Sequence, residues 1–252
     1  MSAPVPFKDS EREGIRMSDF QVWLEDVKQA AYMAFIQGDR WKLYFKGLGV
    51  TMQLAVYAAI IGMIIGTIIA FMKLSTRKNG KPSVWSYIAT VYMDVIRGTP
   101  SVLQLLIMWF IIFASCKNSM LVAALAFGIN SGAYVAEIVR AGILAVDKGQ
   151  TEAGRALGLS KSQTMIYIVI PQAIKNVLPP IGNEFIVLIK ETAIVGYVSM
   201  TDLTRAANQV VSITYQAFMP LIGAAVIYFV IIKILTILLA KLERRLRQGD
   251  NR

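Results

Sequence analysis

Histidine is absent from this 252-residue chain, and Cys116 is the only cysteine. The chain therefore cannot form an internal disulfide, and the usual zinc ligand sets of cysteine and histidine are excluded. No nucleophile and base can be paired without histidine, and no Gly-x-x-x-x-Gly-Lys-Ser/Thr loop or glycine-rich dinucleotide motif is present. We therefore expect a chain that is not itself an enzyme and that binds no metal and no cofactor of its own.

Charged residues are also scarce, at 17% of the chain against 56% hydrophobic residues. A soluble domain averages about 25% charged residues, so this composition favours a protein built for lipid. The net charge of +10 would suit nucleic acid, but the basic residues cluster in short loops beside apolar stretches. No basic aromatic surface or reader motif accompanies them. We therefore expect an all-α membrane protein in a lipid bilayer, with no nucleic-acid partner.

Five stretches are long and apolar enough to cross the membrane, which takes about twenty residues for about 30 Å of hydrocarbon. They comprise residues 47–72, 84–114, 120–146, 176–200 and 219–240. In the first, Gly62 and Gly66 lie on one helix face, a spacing that predicts close packing against a neighbouring helix. The second contains Gly98-Thr99-Pro100 and the fourth contains Pro179-Pro180, so we expect both to be broken. Such breaks line a cavity in some proteins and are purely architectural in others.

Five spans place the two termini on opposite sides of the membrane. The loops on one side carry most of the lysine and arginine, whereas the other side has only Lys117 and Arg205 beyond the N-terminal segment. Because cytoplasmic loops carry the basic excess, we expect the N-terminus outside and the C-terminus in the cytoplasm. Residues 1–46 would then form an extracytoplasmic segment with an amphipathic helix in the outer interface, or one that binds a partner. Residues 47–246 would form the membrane domain, and residues 247–252 a cytoplasmic tail.

Polar side chains inside the apolar stretches are candidates for a solute path, because burying them in lipid is costly. Asn130 and Glu137 lie in the third stretch, and Asn183 and Glu184 in the fourth. Such groups could hold the ammonium and carboxylate of a zwitterionic solute. Structural ion pairs between helices are the alternative, and both interpretations stay open at this point.

Two acid–base pairs have a spacing that lets them meet on one helix face. Asp94 lies three residues before Arg97, and Glu137 lies three residues before Arg140. For the first pair we expect a structural role.

A polar segment, residues 151–171, lies between the third and fourth apolar stretches and must therefore emerge into water. Residues 152–157 predict a short helix, which Gly158 ends because a left-handed residue is needed there. A second, amphipathic segment would begin at a cap formed by Ser160 or Ser162 and run to Pro171. This pattern predicts a helix–turn–helix on the membrane surface, shaped to be bound by another protein.

At these positions the chain resembles the integral-membrane permease subunits of bacterial ABC importers. Their signature consists of Glu-Ala-Ala, three residues, Gly, nine residues and then Ile-x-Leu-Pro. It reads here as Glu152-Ala153-Gly154, Gly158 and Ile168-Val169-Ile170-Pro171. The spacing matches throughout, with Gly154 in place of the second alanine and Ile170 in place of the leucine.

Further motifs resemble the branch of these permeases that takes up polar amino acids, the histidine/glutamine type. They are Arg97-Gly98-Thr99-Pro100 followed by Gln104, Asn130-Ser131-Gly132-Ala133-Tyr134, Lys148-Gly149-Gln150, Pro171-Gln172-Ala173, Leu178-Pro179-Pro180 and Lys190-Glu191-Thr192. The likeness runs from about residue 47 to residue 246 and leaves the first 46 residues outside it.

The resemblance implies a type I ABC importer permease fold of about five transmembrane helices in the bacterial cytoplasmic membrane. It also implies a second permease subunit, identical or not, two ABC ATPase subunits that use ATP-Mg, and an extracytoplasmic solute-binding protein. A coupling loop, about residues 147–171, would enter a groove on each ATPase. Its contact residues would be Glu152, Ala153, Gly154, Leu157 and Gly158.

Two other functions stay open on the residues alone. A stand-alone ion-coupled secondary transporter or channel would use Glu137 and Glu184 for ion coupling, although no inverted repeat is evident. The second open function is that of a membrane scaffold that transports nothing. The polar residues embedded in the apolar stretches argue against this function.

Overall fold

The computed structural model describes residues 9–76 and 81–248, with side chains for residues 19–76 and 81–246. Loop residues 77–80 and tail residues 249–252, which entered the predictions above, lie outside that range. All regular elements in the described range are helical: α1 (Asp9–Ala31), α2 (Trp41–Leu74), α3 (Val84–Arg97), α4 (Ser101–Ile107), α5 (Ser119–Leu144), α6 (Lys148–Ala156), α7 (Lys161–Thr164), α8 (Ile170–Glu191), α9 (Leu203–Thr214) and α10 (Phe218–Gln248).

Short turns of other helix types extend several of these helices. The π-helical turns are Tyr32–Ile36, Met108–Ile112 and Met165–Val169, and the 3-10 turns are Gln37–Asp39 and Thr192–Val198.

Three helices of the described range are long and apolar enough to cross a membrane: Trp41–Leu74, Ser119–Leu144 and Phe218–Leu246. Val84–Arg97 and Ser101–Ile112 add a fourth candidate if the two are taken as one span, with a bend of 103° between them. That bend confirms the break predicted at Gly98-Thr99-Pro100. Helix α8, with 22 residues, is long enough but too polar to meet the same criteria.

Small residues join α2 to α5 along their length. A Cβ atom added to Gly62 would lie 3.1 Å from Cβ of Ser131, and one added to Gly66 would lie 2.6 Å from Cβ of Val135. One added to Gly128 would lie 2.5 Å from Ile61. The predicted packing of the Gly62/Gly66 face against a neighbouring helix is thus confirmed, and α5 is that neighbour. Because the residue numbers rise together on both helices, α2 and α5 are parallel.

Helices α3 and α8 run in the opposite direction. Near the start of α3, the Ser86 hydroxyl donates to the carbonyl of Lys73 at 2.9 Å, close to the end of α2. The start of α8 packs on the end of α5, because the carbonyl of Ala173 lies 3.5 Å from a Cβ position on Gly142. Helix α10 reverses again, since Ala224 near its start is buried with Tyr44 near the start of α2, whereas Leu239 further along meets Gly182 of α8. This alternation is the one expected of five successive crossings.

The two ends of this bundle have separate apolar cores. At the end that carries α6, which we call the coupling end, Ile143, Val169 and Ala173 are buried together beside Leu74. At the far end, Tyr44, Leu203 and Ala224 belong to a second cluster. Phe35 packs against this second cluster, and its ring lies 5.4 Å from that of Tyr44. Residues just before α2 thereby join the bundle at the far end.

Three prolines do not interrupt the helix as the sequence suggested. Pro171 was expected to end its segment, but it lies in the first turn of α8. The π-helical turn Met165–Val169 directly before it changes the backbone pairing, so the missing N–H and the ring of Pro171 are accommodated. Pro179-Pro180 also lies inside a continuous α8, which begins earlier than residue 176 and ends at Glu191. Neighbouring helices that pack on such a segment can hold it helical.

Candidate functional site

Helix α6 is the first arm of the predicted helix–turn–helix, and it begins earlier than residue 152. Asp147 caps it, since one carboxylate oxygen accepts a hydrogen bond from the backbone N–H of Gly149 at 2.6 Å. An aspartate at this position satisfies an N–H group that has no partner inside the helix. Lys148 therefore becomes the first helical residue, and α6 is one turn longer at its start than the helix predicted from residue 152.

Gly158 ends α6 in the left-handed conformation that the sequence predicted, with φ of +83°. Its N–H donates to the carbonyl of Arg155 at 3.1 Å, and the N–H of Leu159 donates to the carbonyl of Gly154 at 3.1 Å. These two bonds form a Schellman motif. The Arg155 guanidinium also donates to the carbonyl of Leu159 at 2.6 Å. No atom lies within 4 Å of a Cβ position on Gly158, so backbone conformation rather than space requires glycine there.

The second arm begins at Ser160, one of the two serines predicted to cap it. Its hydroxyl accepts from the N–H of Gln163 at 3.2 Å, and the Gln163 side chain accepts from the N–H of Ser160 at 2.8 Å. This reciprocal pair is a capping box. The arm then continues through the π-helical turn into α8 without a break, so the coupling loop is joined rigidly to a bundle helix.

Gly154 lies between the two arms. It is buried, and a Cβ atom added to it would lie 2.8 Å from Cγ2 of Thr164 and 2.8 Å from Cδ1 of Ile168. This contact gives a reason for glycine where the permease signature has its second alanine. Gly154 is one of the five residues predicted to contact an ATPase. In the structure it packs against the second arm of the loop instead of facing outward.

The other four predicted coupling residues face outward. Glu152, Ala153, Leu157 and Gly158 are all exposed, and Leu157 is 82% exposed. Ala153 and Leu157 lie four residues apart on one face of α6. The side chains of Ala153 and Leu157 therefore form a small apolar surface beside the carboxylate of Glu152. We call Glu152, Ala153 and Leu157 the coupling face.

Asn130 lies in the hydrogen-bond network of the bend between α3 and α4. Its side chain is almost fully buried and donates to the Gln104 carbonyl oxygen at 2.9 Å. The Gln104 amide in turn donates to the hydroxyl of Thr99 at 2.7 Å and to the carbonyl of Ile96 at 2.8 Å. Gln104 closes the bend and Asn130 fixes Gln104, which is a positioning role.

Glu137 forms an ion pair with Arg140, as the spacing predicted. Arg97 and Lys73 also lie within electrostatic range of Glu137. Asp94 and Arg97, by contrast, form no ion pair with each other in the part of the chain described. The Arg97 guanidinium lies 5.7 Å from the ring centre of Tyr134 on α5 instead. The ion pair that the spacing of Asp94 and Arg97 would allow is therefore not formed.

Glu184 faces α5, where its carboxylate accepts a hydrogen bond from the fully buried hydroxyl of Ser131 at 2.9 Å. Asn183, its neighbour, points to the other side of α8 and lines a cavity between α8 and α10. Asn130, Glu137 and Glu184 therefore have three different sets of partners, and Asn183 lines a separate cavity. Among the described residues, no group of three or more histidine, cysteine, aspartate or glutamate residues could hold a metal ion.

Asp202 is a buried carboxylate that the sequence reasoning missed. Its two oxygens accept from the backbone N–H groups of Thr204 and Arg205, both at 3.0 Å, and so cap α9. Burial raises the pKa of the Asp202 carboxyl, while these hydrogen bonds act against that rise. Thr51 of α2 also accepts from the N–H of Leu203 at 3.2 Å, which joins α9 to the bundle. An aspartate directly before a periodic apolar run was the available signal.

Comparison with known proteins yields one family and several close relatives. A family model described as "Binding-protein-dependent transport system inner membrane component" matches residues 62–248. The arginine transport system permease protein ArtQ of Bacillus subtilis is 43% identical over 208 residues, covering 81% of this chain and 93% of that protein. The putative glutamine transport system permease protein GlnP of Rickettsia conorii is 39% identical over 211 residues, covering 81% and 94%.

A solved structure gives the same result. An amino acid ABC transporter crystallised with histidines superposes with a TM-score of 0.74 at 46% sequence identity, covering 81% of this chain and 94% of the solved one. In all three comparisons nearly the whole relative is matched, while about a fifth of this chain is not.

Proposed function

The chain belongs to the family of inner membrane components of binding-protein-dependent transport systems and is an amino-acid ABC transport permease, and we propose that separate ATPase subunits drive it through the coupling loop. The cargo is a polar amino acid, as the arginine and glutamine systems of the relatives suggest. The membrane is the bacterial cytoplasmic membrane, with the coupling end in the cytoplasm.

The observation that carries this proposal is the coupling face. Leu157 is 82% exposed directly after α6, a helix whose residues other than Gly154 are all exposed. Covering this side chain in a groove of a second protein removes apolar surface from water and stabilises the complex by about 1.5–3 kcal/mol. Glu152 adds a carboxylate that can meet a basic groove. Because the described residues carry no nucleotide-binding motif, an energy source in a second protein is required.

A continuous set of packing contacts connects α6 to the helices of the membrane domain. Gly154 fits against Thr164 and Ile168 without space for a side chain. Behind them, Val169 and Ala173 of the second arm and α8 are buried against Ile143 of α5. A groove that moves α6 would therefore move α8 and α5 together. In the proposed cycle, ATP binding draws two such loops towards each other, one from each permease of the pair, and opens the path to the outside.

Basic residues support a cytoplasmic position for the coupling end. Described residues of this kind on α6, on the second arm and near the end of α10 are Lys148, Arg155, Lys161, Lys241, Arg244 and Arg245. The far end would then meet the solute-binding protein outside the cell. The positive-inside rule is the physical basis for this orientation.

Recovery of an ATPase with the chain tests the proposal. The permease is co-expressed with the ATPase of its own transport system, purified by a tag on the permease, and assayed for ATP hydrolysis in liposomes. Leu157→Glu is expected to reduce co-purified ATPase by about tenfold, since loss of one buried leucine at an interface exceeds 1.4 kcal/mol. Ser162→Asp adds the same charge to the other arm and serves as the control. Equal recovery with Leu157→Glu and with wild type would rule out the coupling face as the ATPase contact.

The stand-alone ion-coupled transporter is not favoured. Family membership argues against it, and Glu137 is held by Arg140 in an ion pair rather than open for ion binding.

A further inference from the structure

An apolar groove lies between the start of α2 and the start of α10, at the far end of the bundle. Its volume is about 440 Å³. Trp41, Tyr44 and Phe45 of α2 line one side, and Ile222 and Val226 of α10 line the other. Along α10 the groove extends from residue 219 to residue 227, which corresponds to about 12 Å of helix. Neither the coupling role nor the predicted solute path uses it.

Phe35, from the π-helical turn Tyr32–Ile36, also lines the groove. Its ring fits against α10 because Gly223 has no side chain, since a Cβ atom added there would lie 2.4 Å from the ring. The groove therefore depends on a specific contact between the segment before α2 and α10. Residues 35–46 precede the range 62–248 that the family model matches, so the family description gives them no role.

The groove is continuous with an apolar surface of α10. Only 6% of the residues in the most apolar stretch of α10 are buried within the chain, against 72% for α5. Beyond the groove, Phe229, Ile234 and Ile237 are exposed along the same helix. Because α10 is long and apolar enough to span the membrane, this surface meets hydrocarbon. An acyl chain is therefore the apolar ligand that fits the groove.

Tyr44 adds a hydrogen-bond donor beside this apolar surface. It is 1% exposed, and its hydroxyl is the one buried side-chain polar atom of the described residues without a hydrogen-bond partner. Native proteins pair nearly all such groups. Long side chains on a helix lean towards its N-terminus, so this hydroxyl is directed towards the far end, where Arg40 lies within electrostatic range. The ester oxygens of a phospholipid, between acyl chains and headgroup, are acceptors suited to it.

Basic residues beside the groove favour an anionic headgroup. Residues 39–46 contain Asp39 with Arg40, Lys42 and Lys46, a net charge of +2. Lys42 forms an ion pair with Asp39, whereas Lys46 is exposed and forms no ion pair among the described residues. The flexible stem of a lysine lets its ammonium reach the level of the headgroups. Lys46 is thus the cation available to a phosphate.

We propose that this groove binds one anionic phospholipid. Its acyl chain lies between α2 and α10, an ester oxygen accepts from the Tyr44 hydroxyl, and its phosphate pairs with Lys46. In the proposed orientation the far end faces the outside, so the lipid belongs to the outer leaflet. The bound lipid contacts Phe35, α2 and α10 together and stabilises their packing at the far end.

Quenching of Trp41 fluorescence by brominated lipid tests the site in the purified chain. The chain has four tryptophans, so Trp23→Phe, Trp85→Phe and Trp109→Phe together leave Trp41 as the only one. The protein is placed in phosphatidylcholine nanodiscs that contain increasing fractions of brominated phosphatidylglycerol, or of phosphatidylcholine with the same brominated chains. Half-maximal quenching is expected at about tenfold lower fraction for phosphatidylglycerol, because a charged hydrogen bond is gained.

Substitutions in the same background separate the headgroup contact from the groove. Lys46→Gln is expected to remove the preference for phosphatidylglycerol, whereas Lys117→Gln, at an exposed lysine in the loop before α5, should keep it. Val226→Phe fills the groove and should remove the preference as well. Val230→Phe makes the same change one turn further along the exposed face of α10 and is its control.

Tyr44→Phe tests the ester contact by the sign of its effect on stability. In lipid-free detergent the variant should have a Tm equal to or above that of wild type, because a buried hydroxyl without a partner is costly. Added phosphatidylglycerol should then raise the Tm of wild type more than that of the variant. A lower Tm of the variant in lipid-free detergent would overturn the ester contact, since the hydroxyl would then have a partner within the chain.

Equal half-maximal fractions of the two brominated lipids with Trp41 would overturn the proposal. An unchanged preference in both Lys46→Gln and Val226→Phe would also overturn it. These measurements use the chain without an ATPase, so they do not depend on the coupling face, and loss of ATPase recovery would not affect them.

Discussion

The coupling loop and the bend between α3 and α4 both contain a glycine and a few polar side chains, but they are held in different ways. In the loop, Ser160 and Gln163 cap each other across three residues, and Arg155 reaches Leu159 across four. In the bend, Gln104 is held by Asn130, which lies 26 residues further along the chain on α5. The conformation of the loop is therefore stabilised by hydrogen bonds within the loop, whereas the conformation of the bend is stabilised by a hydrogen bond from a neighbouring helix.

This difference suits two different tasks. A loop that keeps its shape through local bonds can leave its outer face, with Leu157 82% exposed, for a second protein. The bend is hydrogen-bonded to α5 through Gln104 and Asn130, so we expect the bend and α5 to move together. Damage to the bend should therefore reduce stability and transport together, while damage to the loop should reduce transport alone.

The largest effect is expected for Asn130→Leu. The substitution removes the donor to Gln104 and leaves the half-buried Gln104 side-chain carbonyl without its protein partner, which costs about 1 kcal/mol. We expect a lower Tm in detergent together with loss of amino-acid uptake in liposomes containing the whole complex. Asn208→Leu, at an exposed position of α9, is the control. A normal Tm with lost uptake would contradict the structural role and would restore Asn130 as a candidate for contact with the solute.

Features that depend on neighbours in sequence could be predicted from the sequence. The left-handed Gly158, the cap at Ser160 and the Glu137–Arg140 pair all depend on residues within five positions of one another. The Gly62/Gly66 face needed only helical periodicity. Family resemblance supplied the fold and is the basis for the proposed coupling role, both of which local patterns alone leave open.

Features that depend on tertiary contacts could not be predicted. Glu184 meets Ser131 across 53 residues, and no spacing rule links them. Arg97 turned towards Tyr134 because α5 presents an aromatic ring to it. Pro179-Pro180 lies inside a continuous α8, which contacts α5 at Val177 and α10 at Gly182. In each case the conformation depends on a neighbouring helix and not on the residue's own helix.

A substitution at the loop glycine is the second test of the comparison. Gly158→Val places a β-branched side chain at φ of +83°, where left-handed backbone costs about 1–2 kcal/mol and more for a branched residue. We expect uptake to fall by about tenfold with no change in Tm, since 1.4 kcal/mol corresponds to a factor of ten. Gly158→Asn is the matched control, because asparagine tolerates this conformation and fits the same open space. Equal loss with both substitutions would mean that the side chain, and not the backbone turn, disturbs the ATPase contact.

The smallest effect, and the sharpest test of how the loop transmits force, is expected for Gly154→Ala. The added methyl group would lie 2.8 Å from both Thr164 and Ile168. These are the ends of side chains, so the arms shift by a few tenths of an ångström at a cost of about 1 kcal/mol. Uptake should fall only a few-fold, and Gly154→Ala/Thr164→Ser should recover part of it, because the methyl group of Thr164 is removed while the contact with Ile168 remains. Thr164→Ser alone keeps the hydroxyl that bonds to Ser160 and should behave like wild type. Additive losses in the double variant would show that the two arms do not act as one body, and the coupling loop would then resemble the bend in needing support from elsewhere.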